Sequence, residues 1–393
     1  MTELIKRDTS VAGIPLLKNT CLRENIYMIT ISLCMIVKNE EEVLSRCLDS
    51  VKDLVDEIII VDTGSTDKTK EIAAKYTDRI YDFHWINDFA AARNESFKYA
   101  TKDYILYLDA DDVILEEDRE KFKHLKETLD PSIDSVSMYY NAGFDRYGNV
   151  TLKYRRNRLV KRERNFQWEG KCHQLLKVSG NILNSDIAIT HKKVRHAVGR
   201  ALAIYEERIK KGEIFSARDH FYYGNELREN GHYEKAIESY NNCISLSDGW
   251  VEDKIFACIF KGDCYHYLGD MENELSSLFE SFKYAPPRGE SCSRIGYSFQ
   301  RQRQYRTAIF WYKLAISQEI DPDRWSFIYP AYYTWYPHLQ LCVCYYNLGD
   351  YEKAYEHNEM AAKYRPDDSS VKHNRELFKK LLPKNKIISG ATG

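Results

Sequence analysis

Between residues 29 and 191 apolar side chains come in short, nearly unbroken runs; beyond 191 they recur at helical spacing. Ser32–Val37 (SLCMIV), Glu57–Val61 (EIIIV) and Tyr104–Leu108 (YILYL) have the pattern of strands covered on both faces, as in a parallel sheet. Helical patterns separate them. Glu40–Val51 carries Val43, Leu44, Cys47, Leu48 and Val51 on one face. A second helix follows Val61, with a cap expected at Ser65 or Thr66 and an apolar face of Ile72, Ala73 and Tyr76. Asp78–Tyr81 reads as a short third strand and Ala90–Ala100 as a helix, which makes Tyr104–Leu108 the fourth strand. Strands alternating with helices predict βαβ units. The rhythm fades over 135–191, where strand-like pieces such as Val136–Tyr140 and Ile187–Thr190 lie among basic and turn segments.

After His191 a repeat emerges. Gly224, Gly231, Tyr233, Ala236, Tyr240 and Cys243 have counterparts in Gly262, Gly269, Met271, Glu274, Leu278 and Ser281. A third copy runs through Gly296, Arg303, Tyr305, Ala308, Tyr312 and Ala315, and a fourth through Cys342, Gly349, Tyr351, Ala354, Asn358 and Ala361. Small residues at the first, fourth and sixth landmarks let paired helices approach closely, with Glu274 the exception. The second landmark is a glycine suited to the inter-helix turn; Arg303 replaces it in the third copy, so a different turn is expected there. These copies resemble tetratricopeptide repeats. Their starts are 38, 34 and 46 residues apart, against about 34 in the ideal repeat, so extended helices or loops are expected, notably over Asp321–Pro337.

The chain thus divides into an extension (1–27), an α/β domain (28–200), about four helical repeats (201–383) and a tail (384–393). With 393 residues, a formal net charge of -2 and 30% charged residues, it has the composition of a globular protein and lacks the charge of a nucleic-acid binder. No apolar run approaches the roughly 18 residues of a membrane span. Ten scattered cysteines without a CxxC pair point to reduced thiols and a cytoplasmic location.

Candidate chemistry collects at the carboxyl ends of the predicted strands, where open α/β sheets bind ligands. The first strand runs into Lys38-Asn39-Glu40, the second into Asp62-Thr63-Gly64-Ser65, the fourth into Asp109-Ala110-Asp111-Asp112. A kinked strand end can turn Asp109 and Asp111 toward one hard cation such as Mg²⁺ or Mn²⁺. Asp62 could accept a hydrogen bond from a base or ribose, and Arg93 could meet a diphosphate. Asp112 has no assignment beyond capping the next element. Neither a G-x-G-x-x-G nor a Walker A motif is present.

SLCMIVKNEEEVLSRCLDSV, EIIIVDTGSTDKT, DFAAARNESFKYA and YILYLDADD together resemble family 2 glycosyltransferases of the GT-A fold. The resemblance implies an α/β GT-A (Rossmann-like, mostly parallel sheet) domain and inverting transfer from a nucleotide-sugar, usually a UDP-sugar, with Mg²⁺ or Mn²⁺. It places Asn39 and Glu40 beside the nucleoside, Asp62 on the uracil, Arg93 near the diphosphate, Asp109 on the ribose and Asp111 on the metal. A GT-A domain followed by repeats resembles, more narrowly, the group of sublancin-type peptide S-glycosyltransferases. That group carries G-x-x-H-E where this chain has Trp168-Glu169-Gly170-Lys171-Cys172-His173-Gln174. His173 matches, but Gln174 replaces the acid and accepts no proton at neutral pH, which leaves Glu169 or His173 as the expected base. The resemblance also puts His191 on the metal and Arg158, in the basic run 153–164, near the diphosphate. Trp168 could stack on a sugar or acceptor, or pack in the core.

The expected activity is glycosylation of a polypeptide on Ser, Thr or Cys, with the repeats holding the acceptor. The alternatives are a transferase for a glycan or lipid-linked sugar, with the repeats as a scaffold or homodimer contact, and a repeat scaffold with an inactive transferase domain. The tyrosine-rich stretch Tyr329–Tyr336 is the expected peptide-facing or dimer surface.

Overall fold

The computed structural model describes residues 28–194 and 199–383; the expected extension 1–27 and tail 384–393 lie outside the described residues. Among the described residues ten strands form two sheets: β1 (Ile31–Val37), β2 (Glu57–Asp62), β3 (Ile80–Asp82), β4 (Tyr104–Tyr107), β5 (Asp112–Ile114), β6 (Ser135–Phe144), β7 (Val150–Lys161), β8 (Trp168–Glu169), β9 (Leu175–Leu176) and β10 (Ile182–His191). The large sheet has the order β3-β2-β1-β4-β7-β6-β10-β5, and β8 and β9 form a small hairpin. The first four strands of that order are mutually parallel, as the alternating pattern predicts. In the other half β7 is antiparallel to β4 and β6, β10 is parallel to β6, and β5 is antiparallel to β10.

Helices α1 (Leu44–Val51), α2 (Thr69–Ala73), α3 (Phe89–Lys98) and α4 (Glu116–Thr128) belong to this domain. Strands β1 and β4 sit in its core with Leu33, Met35, Leu106 and Leu108 fully buried. Helix α2 starts later than the sequence suggests. Ser65 and Thr66 do not cap it; they bond to Asn39 instead, and Asp67 accepts from the Thr69 amide at 3.0 Å. The short link from β4 to β5 shapes the sheet. The few residues joining them reach at most about 17 Å, while four strand spacings in a flat sheet need about 19 Å. The sheet therefore curls, bringing the end of β10 back to the end of β4, where His191 pairs with Asp112.

Helix α5 (Arg200–Lys210) leads into four helical hairpins: α6 (Ala217–Glu229) with α7 (Tyr233–Ser245), α8 (Val251–Leu268) with α9 (Met271–Glu280), α10 (Gly289–Arg301) with α11 (Tyr305–Ser317), and α12 (Trp335–Asn347) with α13 (Tyr351–Ala362). Helix α14 (Ser369–Leu381) packs on the last. The glycine landmarks are contact points: a Cβ on Gly224 would lie 2.7 Å from the Tyr240 ring, and one on Gly296 would lie 2.9 Å from the Tyr312 ring. Glu274, the misfit at a small-residue position, is buried and bonded by Arg301, with His266 Nδ1 3.5 Å away.

The third turn is not built differently, contrary to expectation. Gly231, Gly269 and Gly349 have φ of 79°, 78° and 78°, and Arg303 takes the same left-handed conformation at φ 59°. The hydrogen bonds match as well: the amides of Gly231 and Arg303 reach carbonyls three residues back at 3.0 and 2.9 Å. Tertiary packing thus forces an arginine into a glycine conformation. Arg303→Gly is expected to stabilise the protein by about 0.5–1 kcal/mol, read as a higher denaturation midpoint; a lower midpoint would show that the turn carries no strain.

The long spacing before the fourth copy also has a purpose. Residues 318–334 leave the repeats and strap across the α/β domain. Lys153 of β7 and Ile328 exchange backbone bonds of 3.0 and 2.8 Å. Arg155 and Tyr139 both donate to the Pro322 carbonyl, Tyr139 at 2.8 Å, and Asn184 donates to Asp323 at 2.8 Å. On the repeat side, buried Glu290 of α10 holds Arg324 at 2.5 Å and also accepts from the Tyr333 hydroxyl. Lys153 and Arg155, at the start of the basic run 153–164, therefore belong to the seam between the α/β domain and the strap.

No helix among the described residues is long and apolar enough to cross a membrane. The described cysteines are all free and buried. Cys342 and Cys344 are both buried in α12.

Candidate donor and metal site

The loops after β1 and β2 are stitched to each other. Asn39, at φ 55°, donates its amide to the Ser65 hydroxyl at 2.9 Å and accepts from the Thr66 amide at 2.8 Å through its side chain. The Glu40 amide donates to the Thr69 hydroxyl at 2.7 Å. Asp62 ends β2 almost completely buried, and its Oδ2 accepts from the amides of Gly64 and Ser65 at 3.0 and 2.9 Å. Its Oδ1 is buried with no hydrogen-bond partner. An orphaned carboxylate oxygen is costly unless a donor arrives, which suits a residue expected to receive the N–H of a base.

The acids after β4 have separate environments. Asp109 pairs with Arg93 of α3 at 2.5 Å. Burial alone would raise its pKa, but the Arg93 and Arg158 charges prevail and hold it down at about 2. Asp111 stays partly exposed, with His191 Nδ1 at 3.3 Å. Asp112, which the sequence left unassigned, is the hub. It is fully buried. Its Oδ1 accepts from the Tyr140 hydroxyl at 2.9 Å and faces His191 Nδ1 at 3.3 Å. Its Oδ2 accepts from the Asp109 amide at 3.0 Å and pairs with Arg158 at 3.2 Å. It opens β5, the element that follows, and ties residues of β6, β7 and β10 to the turn after β4.

Asp111, Asp112 and His191 bring ligand atoms within 4.8 Å of one another. Carboxylate oxygen with imidazole nitrogen is a donor set for Mn²⁺, and with fewer nitrogens for Mg²⁺. Both Asp112 oxygens are already engaged, so Asp111 and His191 are the groups free to turn to a cation. Burial would lower the His191 pKa, but its hydrogen bonds to the two aspartates outweigh burial and raise it to about 9.

Other expected residues lie elsewhere. Arg158 is buried between the Tyr107 and Tyr140 rings, at 4.7 and 4.6 Å, and is paired with Asp112; it is not a free cation facing a diphosphate, because the buried acid has captured it. Trp168 is buried, edge-on to Tyr107 at 4.6 Å and under the Arg93 guanidinium at 4.9 Å, so its stacking partner is Arg93. Glu169 is exposed and paired with Lys177 at 3.3 Å. His173 turns to the repeats: its Nε2 meets Glu226 of α6 at 2.9 Å and its ring stacks on Tyr222 at 4.4 Å. The structure thus brings together Asp109, Asp111, Arg93 and His191, with Asn39, Glu40 and Asp62 at the neighbouring strand ends, while Glu169 and His173 take partners outside the aspartate cluster. Sequence reasoning missed Asp112 and Tyr140. The clue to Asp112 was that it opens a second apolar run, Asp112-Val113-Ile114.

The tyrosines of 329–336 divide. Tyr333 packs inside against Glu290, whereas Tyr329, Tyr332 and Tyr336 line a groove of about 580 Å³ in the repeats, with Arg294 over Tyr332 at 4.6 Å.

Residues 32–179 match the model described as Glycosyl transferase family 2, and residues 222–248 match a Tetratricopeptide repeat model. A TPR repeat-containing protein of Synechococcus elongatus is 48% identical over 103 residues, 26% of this chain and 25% of that protein. The SPbeta prophage-derived glycosyltransferase SunS of Bacillus subtilis is 35% identical over 150 residues, 37% of this chain and 34% of the relative. These matches thus span a quarter to a third of the length of the curated relatives. Among solved structures, glucosyl-3-phosphoglycerate synthase from Mycobacterium tuberculosis, in complex with Mn²⁺ and UDP-glucose, aligns at 16% identity over 48% of this chain and 81% of its own, with a TM-score of 0.33, too slight a likeness to bear on the site. The matched family region encloses β1 to β4, the aspartate cluster and Arg93, and the matched repeat lies within the helical half: this chain carries a glycosyl transferase family 2 domain joined to tetratricopeptide repeats.

Proposed function

We propose that the protein is an inverting glycosyltransferase that moves a sugar from a UDP-sugar to a Ser, Thr or Cys side chain of a polypeptide, with Asp111 and His191 holding Mg²⁺ or Mn²⁺. The observation that carries this reading is the pairing of Asp111, which follows β4 within the family-matched region beside Asp109, with His191 at the end of β10, beyond that region. The relative named SunS adds to it, as does the tyrosine-lined groove, which suits an extended chain. In this reading the orphaned Asp62 oxygen receives the uracil N–H, Asn39 and Glu40 border the nucleoside, and Asp109 takes the ribose hydroxyls. Arg93, shared between Asp109 and the aromatic wall, faces the diphosphate. Bound by Asp111 and His191, a divalent cation would supply positive charge for the departing diphosphate. Inverting transfer is an in-line displacement, so the acceptor approaches from the face opposite the diphosphate.

The test is donor turnover. The full chain with Mn²⁺ and a panel of UDP-sugars is expected to release UDP from at least one donor, and chelation by EDTA is expected to stop it. No release from any UDP-sugar, or release unaffected by EDTA, would overturn the donor and metal assignments respectively.

A further inference from the structure

The family motif lacks its acid at Gln174, and the bound partners of Glu169 and His173 leave the expected base unfilled. A candidate comes from the other domain. Between the α/β domain and the repeats lies a cavity of about 110 Å³, walled by Tyr107, Trp168 and Leu176 on one side and by Tyr222, Asp253 and Phe327 on the other. It adjoins a larger cavity of about 840 Å³, which shares Asn157, Arg218, Asp253 and Trp325 with it. The smaller space fits one short side chain, and the larger fits several residues of an extended chain.

Three polar atoms in the small cavity's wall are unsatisfied: the Ser326 hydroxyl, Asp253 Oδ2 and Trp168 Nε1. Asp253, in the first turn of α8, is 4% exposed, and its Oδ2 has no hydrogen-bond partner; the nearest cation, Arg218, stands off at 3.8 Å. Trp168 is likewise 4% exposed, and its indole Nε1–H is buried without an acceptor. One wall therefore offers a donor and the other an acceptor. A buried pair of this kind costs stability until something enters that both accepts and donates. An alcohol does both; a thiol does each weakly. The location suits the reaction, because Tyr107 and Trp168 are the rings that carry Arg93 at 5.4 and 4.9 Å, and Arg93 holds Asp109.

We propose that this inter-domain cavity is the acceptor pocket, that it takes a Ser or Thr hydroxyl in preference to a Cys thiol, and that Asp253 of the repeat domain accepts the hydroxyl proton. The inference rests on the transferase reading above. As the acceptor oxygen bonds to the anomeric carbon, the bond from that carbon to the diphosphate oxygen breaks and its electron pair leaves with the diphosphate. The acceptor proton passes to Asp253 Oδ2. Burial, opposed by Arg218 and reinforced by Glu252, raises the Asp253 pKa to about 6, close to the value a base working near neutrality requires. A neighbouring carboxylate would disfavour the thiolate that a cysteine acceptor needs.

The experiment uses the full chain, Mn²⁺ and the UDP-sugar that shows turnover, with two peptide libraries of random flanks around one central Ser or one central Cys, read as mass shifts. The Ser library is expected to be labelled ahead of the Cys library. Asp253→Asn is expected to lower that labelling by about 100-fold or more while melting no lower than wild type, since it removes an unsatisfied buried charge. Preferential labelling of Cys, labelling by Asp253→Asn at the wild-type level, or a lower melting temperature accompanying the loss would each overturn the pocket. Wild-type UDP release with neither library labelled would overturn the polypeptide acceptor and the pocket with it, while absence of UDP release would count against the donor reading itself.

Discussion

Asp112→Ala is expected to lower the stability of the protein by about 3–5 kcal/mol, read as a shift in the denaturant midpoint. The size of the effect comes from what the substitution strands. Arg158 is as buried as Asp112, at 2% against 0% exposure, and without the acid its guanidinium keeps the Tyr107 carbonyl at 3.1 Å, two aromatic faces and the more distant charge of Asp109. The Tyr140 hydroxyl and the Asp109 amide lose their acceptor at the same stroke. Removing both charges, in Asp112→Ala with Arg158→Met, should cost much less than the sum of the two single changes, because neither charge is then left alone. Additive losses would show that the pair is not a strut between the strand ends.

Asp111→Asn should act in the opposite way, with little effect on stability and a large effect on turnover. The Asp111 side chain is 25% exposed and pairs with His191 at the surface of the cluster, so nothing buried depends on it. An amide in its place offers a cation a weaker, uncharged ligand. If that ligand is what keeps positive charge beside the diphosphate, several kcal/mol of transition-state stabilisation disappear, and Mn²⁺-dependent UDP release should fall about 1,000-fold or more. Mn²⁺ binding followed by its own magnetic resonance signal should weaken in parallel. Turnover close to wild type would remove the metal role assigned to Asp111.

The parallel half of the sheet was legible because its strands are covered on both faces and leave unbroken apolar runs, as in Ser32–Val37 and Tyr104–Leu108. The other half was not. Strands β6, β7 and β10 mix polar and basic residues, and Arg155 and Arg158 look solvent-facing until the strap and the buried acid that engage them are in place. The same long-range pairing hid Asp112, because one more acid after Asp109 and Asp111 reads as surface until the curl of the sheet delivers His191, Tyr140 and Arg158 to it from residues 28 to 79 positions away. The repeats showed the converse. Their landmarks predicted helix contacts such as Gly224 on Tyr240, yet the one rule-breaking turn, at Arg303, followed the rule in three dimensions because neighbouring helices fix its backbone.

The strap of residues 318–334 has a consequence for how an acceptor chain would be read. Two domains joined only by a linker sample many separations, and an enzyme built that way modifies whatever residue drifts within reach. Here backbone bonds between Lys153 and Ile328, and side-chain bonds to Pro322 and Asp323, clamp the repeats to β6, β7 and β10. The interval between the tyrosine-lined groove and the aspartate cluster is then a fixed length. A bound chain would be measured against a ruler, and the residue to be modified would be chosen by its count from the anchored segment as much as by its own identity.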